Sequence, residues 1–132
     1  MRKLLSYTII VCCLFLTSCS DNDDTPTQGT ALQDVTSELL LFEYTQDTGN
    51  DSSRLRYRVE FSNPNFQIVQ GVYRITISID GTESTVVSNA QSQCAAILGN
   101  SSCSISFNEE TPHINGMPNS IEFVSAVYTI VE

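Results

Sequence analysis

Between residues 54 and 61 the chain reads Arg-Leu-Arg-Tyr-Arg-Val-Glu-Phe, a strict alternation of charged and apolar side chains. Successive side chains of a β-strand point to opposite faces. Leu55, Tyr57, Val59 and Phe61 therefore share one face, and Arg54, Arg56, Arg58 and Glu60 the other. A helix cannot sort these residues this way, because its 3.6-residue period would wrap the charges around the axis. Residues 71–80 repeat the pattern, with Tyr73, Ile75, Ile77 and Ile79 on one parity and Arg74, Thr76 and Ser78 on the other. Asp80-Gly81 follows at once and leads into Thr82–Val87, a dipeptide suited to the tight turn of a hairpin.

The rest of the chain has the same texture. Glu38–Gln46 makes a first strand and Gly49-Asn50-Asp51 turns it. Ser62-Asn63-Pro64-Asn65 ends the second, since Pro lacks an N–H and restricts the residue before it. Cys103–Phe107 and Ile121–Val131 complete about six strands. The last is apolar on both parities, so it is either central or bulged near Ser125-Ala126. A single helical turn is expected between Ser88 and Gly99, with Asn89 as its N-cap. Short strands divided by turn residues predict one antiparallel β-sandwich over residues 37–132, immunoglobulin-like in general plan, with a closed barrel as the alternative.

The N-terminus carries a different signal. Arg2 and Lys3 precede an apolar run from Leu4 to Leu16, 13 residues in all, and Thr17-Ser18-Cys19 follows. A basic start, a short apolar stretch and small residues before a break are the parts of a secretory signal. The run is too short for an independent transmembrane helix, which needs about 20 residues. Leu16-Thr17-Ser18-Cys19 resembles a bacterial lipobox. That resemblance implies a diacylglycerol on the Cys19 thiol, removal of residues 1–18, and further acylation by chains such as palmitate. A single acyl chain holds a protein only marginally, so the two or three chains such lipoproteins carry imply stable anchoring. Ser20-Asp21-Asn22-Asp23-Asp24 resembles the acidic stretch behind the lipidated cysteine in surface-exposed lipoproteins of the Bacteroidota type. The implied location is the outer membrane, facing outward. Residues 19–36 are polar and rich in Thr, Gln, Asp, Gly and Pro, and read as a flexible linker that cannot bury enough surface to order itself.

Composition then narrows the function. Beyond residue 18 the chain has four basic residues against fifteen acidic ones, no Lys, no Trp and one His. A phosphate backbone would be repelled, so no nucleic-acid partner is expected. A zinc site lacks ligands, and no cofactor is implied. Cys12 and Cys13 leave with the signal, and Cys19 is taken by lipid. Cys94 and Cys103 remain as an even pair in an exported protein, which predicts a disulfide.

Candidate site residues are few. Arg54, Arg56, Arg58 and Arg74 all fall on outward parity. If their strands are neighbours they form one cationic stripe for an acidic partner, or they pair with Glu43, Glu60, Asp80 or Glu122. Tyr44, Tyr128 and Phe66 are the aromatic rings left to recognise a glycan, because Tyr57 and Tyr73 have core-facing parity. The loop around Phe66 is expected to fold back as a strand or plug, and otherwise to form a contact site. His113 and the neighbouring carboxylates are the only basis for a small hydrolase, but nothing supplies a nucleophile or an orienting partner. Glu109 and Glu110 are adjacent and point to opposite faces. Asp47, Asn50 and Asp51 lack the pattern of a calcium loop. The expectation is a non-enzymatic module of the cell envelope, anchored to the membrane by lipid, with a protein or glycan partner.

Overall fold

The computed structural model describes residues 31–114 and 116–131. The signal segment, Cys19 and the linker up to residue 30 lie outside the described residues. Seven strands follow one another: β1 (Thr36–Thr45), β2 (Ser52–Asn63), β3 (Val69–Ile79), β4 (Thr82–Val87), β5 (Ala96–Ile97), β6 (Ser101–Pro112) and β7 (Ile121–Ile130). They form two antiparallel sheets, one ordered β1-β2-β6 and the other built around β3, which pairs with β4, β5 and β7. The protein is an all-β sandwich. In the immunoglobulin plan the second and fifth strands share one sheet and the third and sixth the other. Here β2 pairs with β6 and β3 with β7, one strand later in each case, with the two-residue β5 intervening.

Alternation determines what lies between the sheets. Tyr57, Val59 and Phe61 of β2 face Val69, Tyr73 and Ile75 of β3, and all six are buried. Phe61 sits 5.4 Å from the Tyr73 ring and 5.6 Å from Tyr128. In the other half of the core Phe42, Tyr57 and Phe107 form a row across β1, β2 and β6. Phe123 of β7 closes on Phe42 edge-on at 6.0 Å. Packing reaches back before β1, since Val35 is buried and Leu32 lies against the core.

Two bulges adjust the ladders. Leu40 is an extra residue between Leu39↔Val59 and Leu41↔Arg58, and Val124 is one between Ser125↔Thr76 and Phe123↔Ile77. The second explains why the last strand is apolar on both parities: it is bulged one residue before Ser125, and it is not central. Among the described residues no strand lies beyond β7. Its outer edge is approached by β1 instead, where the Ser37 hydroxyl donates to the Ala126 carbonyl at 2.6 Å.

The helical turn expected between Ser88 and Gly99 does not form. Asn89 Oδ1 accepts from Gln91 N, and tight turns carry the chain through Ser92 to Ala95. The segment is committed elsewhere: Cys94 is bonded to Cys103 of β6, and β5 joins β3. The disulfide ties the β4–β5 connection, which belongs with one sheet, to a strand of the other. Gly99 does not end a helix. It lies so close to the Phe66 carbonyl that a Cβ there would overlap it.

Candidate functional site

Three regions of the surface hold the residues that could act. The first is the outer face of the β1-β2-β6 sheet. Register places Arg54 between Thr45 and Glu110, Arg56 between Glu43 and Asn108, and Arg58 between Leu41 and Ser106. Arg54 donates to Glu110 at 2.6 Å and Arg56 to Glu43 at 3.0 Å. Arg58 meets only the Ser106 hydroxyl, at 3.3 Å, and has no carboxylate within ion-pair distance among the described residues. Arg58 is therefore the guanidinium of this row with capacity left for an external anion. Ser102, Ser104 and Ser106 continue the face along β6, paired with Ser62, Glu60 and Arg58. The alternation Ser-Cys-Ser-Ile-Ser spells this hydroxyl ladder in the sequence.

Arg74 does not join the row, so the single cationic stripe is corrected. β2 and β3 belong to different sheets, and Arg74 lies on the opposite outer face between Val87 and Val127. Parity fixes a residue's face within its own sheet but says nothing about which sheet a strand enters.

The second region is the distal end, made by the 46–51 hairpin, the Asp80-Gly81 turn and the 113–120 loop. Asp80 and Gly81 both take positive φ, 48° and 83°, as a two-residue hairpin of this hand requires. The Asp80 carboxylate also accepts from Asn119 N and Ser120 N at 2.8 and 2.9 Å, which fastens the 113–120 loop. Glu110 accepts hydrogen bonds from the Ser52 hydroxyl, the Arg54 guanidinium and the Thr48 hydroxyl. Those donors, Ser52 foremost, pull its pKa down to about 2. The cluster was not evident beforehand, because its members are far apart in sequence. On the inner face, burial raises the Tyr57 pKa, with the Tyr73 phenol and the Glu109 carboxylate adding to it.

His113 lies in this region. Its N–H donates to the Asp51 carbonyl at 2.9 Å, while its side-chain Nε2 is buried and bonded to no described residue. Asp47 Oδ1 accepts from Gly49 N at 2.7 Å, so it serves its own turn.

The third region is the proximal end, where the chain joins the domain at Ala31. Of the three rings considered for glycan contact, two are engaged internally. Tyr44 donates its hydroxyl to the Pro118 carbonyl at 2.7 Å, and Tyr128 is buried with its hydroxyl on the Ala95 carbonyl at 3.1 Å. Phe66 is the exception. The expected plug is not formed, and its ring is 94% exposed. The cause is Asn63, which is 2% exposed and fills the space beneath the loop. Its Nδ2 donates to the carbonyls of Gln67, Ile97 and Leu98 at 2.9, 3.1 and 3.0 Å. Its Oδ1 accepts from Asn65 N and Asn65 Nδ2 at 2.9 and 2.8 Å. Asn65 in turn exchanges two hydrogen bonds with the backbone of Gln33. With the space below occupied by a bonded amide, the Phe66 ring points outward.

Comparison with protein families, characterised proteins and solved structures finds no match to this chain.

Proposed function

We propose that the chain is an exported lipoprotein, acylated at Cys19 and freed of residues 1–18, that displays a non-enzymatic binding or structural module at the outer membrane. The observation that carries this reading is Leu16-Thr17-Ser18-Cys19, which closes a 13-residue apolar run behind Arg2-Lys3. The disulfide between Cys94 and Cys103 agrees with it, since such bonds persist in oxidising compartments. The binding face is the outer surface of β1-β2-β6, where Arg58 with its Ser106 neighbour offers a fork to a carboxylate-bearing protein or glycan.

Cys19→Ala tests the anchor. It abolishes incorporation of labelled acyl chains and moves the protein from the membrane to the soluble fraction. Unchanged membrane partition refutes the reading. Arg58→Ser tests the face, weakening capture of an acidic partner by an amount that shrinks with added salt.

A further inference from the structure

From the exposed apolar tip at the proximal end, we infer that the domain rests on the membrane that holds its anchor, with Phe66, Leu98 and Ile68 entering the acyl region of the outer leaflet. The inference rests on the lipoprotein reading above and names the surface that the domain itself touches.

Four observations support it. Phe66, Leu98 and Ile68 are 94, 66 and 53% exposed, and they project from two loops that touch at the backbone. Asn100 N donates to the Asn65 carbonyl at 2.7 Å, Gly99 abuts Phe66, and Asn63 holds the carbonyls of Gln67 and Leu98. The apolar side chains thus stand on a fastened platform and do not gain burial by folding back. A bare apolar cluster flanked by the exposed Gln67 and Asn100 is the form of a contact surface.

Second, the tip and the tether share one end. Gln33 is hydrogen-bonded to Asn65, the residue before Phe66. Third, the tether is short. Eleven residues separate Cys19 from Ala31, and a chain of that length reaches at most about 40 Å. A lipid on Cys19 would therefore keep Ala31 within that distance of the bilayer, which raises the effective concentration for a weak contact at this end.

Fourth, charge orients the domain the same way. Among the described residues the proximal end has Asp34 in its loops and Glu38 and Glu60 on the adjoining strands. Asp47, Asp51, Asp80, Glu83, Glu109, Glu110 and Glu122 gather at the distal end. An anionic leaflet repels the distal end and tolerates the proximal one.

The chain has no Trp, so a single Trp reports its own surroundings. Phe66→Trp and, as control, Thr85→Trp on the exposed β4 strand are prepared as the mature chain. Each is held on vesicles of phosphatidylethanolamine and phosphatidylglycerol by its own lipid. In a parallel arm the unlipidated chain from Cys19 onward is coupled to a maleimide lipid through that thiol, since the other two cysteines are in the disulfide. The expected result is blue-shifted emission from Phe66→Trp, quenched severalfold more by brominated acyl chains than emission from Thr85→Trp. Equal quenching of the two overturns the inference. A blue shift without brominated-lipid quenching does so too, assigning the tip to a second copy or, if it needs added envelope protein, to a protein partner. If the maleimide arm shows quenching while the expressed protein carries no lipid, the anchor reading fails and the membrane affinity of the tip stands apart from it.

Discussion

Replacing Asn63 by Ala tests the structural account at its most specific point. The side chain is enclosed at the end of β2 and serves three carbonyls with two N–H groups, while its oxygen serves Asn65 twice. The partners differ in what they lose. Asn65 Nδ2 keeps the Gln33 carbonyl, and the Gln67 and Leu98 carbonyls lie near enough to solvent to find water. Asn65 N is bonded in buried surroundings and is left with nothing, whereas the Ile97 carbonyl keeps its ladder pairing with Val69 of β3. A buried polar group stranded this way costs about 1–3 kcal/mol, so the expected loss is about 2 kcal/mol. That is a large share of the roughly 5–15 kcal/mol that holds a domain folded. Urea unfolding followed by far-ultraviolet circular dichroism measures the loss, with Ser62→Ala, one residue earlier on the outer face, staying within about 0.5 kcal/mol of the parent. Asn63→Asp sharpens the test. At neutral pH it sets a carboxylate against three carbonyls and is worse than Ala. Its folded-state pKa is raised, so the deficit shrinks as pH falls and the protonated acid regains a donor. If Asn63→Ala unfolds within about 1 kcal/mol of the parent, the bonding pattern assigned to Asn63 is wrong.

Three further outcomes follow from single features. Removing the disulfide with Cys94→Ser/Cys103→Ser frees a ten-residue loop and lowers stability by about 2–3 kcal/mol on the chain-entropy estimate, read from the same urea curves. Glu110→Gln destabilises the domain only where the parent carboxylate is ionised. The folded pKa of about 2 lies below the ordinary 4.5, so the parent's advantage is complete above about pH 5 and fades as pH falls toward 2. A difference between the two proteins that does not change with pH removes that assignment. Gly99→Ala drives a methyl into the Phe66 carbonyl, an overlap no rotamer relieves. It costs about 1–3 kcal/mol in the same assay and is accompanied by movement of the 64–68 loop.

How much of this was readable beforehand depends on whether the controlling contact is local. The alternation in residues 54–61 and 71–79 identified both central strands and their buried faces, because period-two patterning is a property of consecutive residues. Asp80-Gly81 announced its hairpin for the same reason, and the even pair of cysteines left once the apolar N-terminal run and Cys19 are set aside announced the disulfide. Most of the misreadings involve partners distant in sequence. Asn89 and Gly99 look like the two ends of a helix, yet the carbonyls of Ile97 and Leu98 are held by Asn63, and the glycine is needed where two backbones meet. Arg74 has the right parity but a different sheet, since pairing between strands is set by the whole topology. Tyr128 reads as a surface ring until Ala95 is seen to receive its hydroxyl. Phe66 reads as a plug until Asn63 is found in the space it would have filled.

The central claim is that Cys19 is the first residue of the mature protein and carries the membrane anchor. The direct measurement is mass spectrometry of the N-terminal peptide from protein extracted from the membranes of expressing cells. The account predicts a peptide that starts at Cys19 and is heavier than its sequence by a diacylglycerol, with or without a further amide-linked acyl chain. An unmodified Cys19, or a mature chain that starts anywhere else, contradicts it.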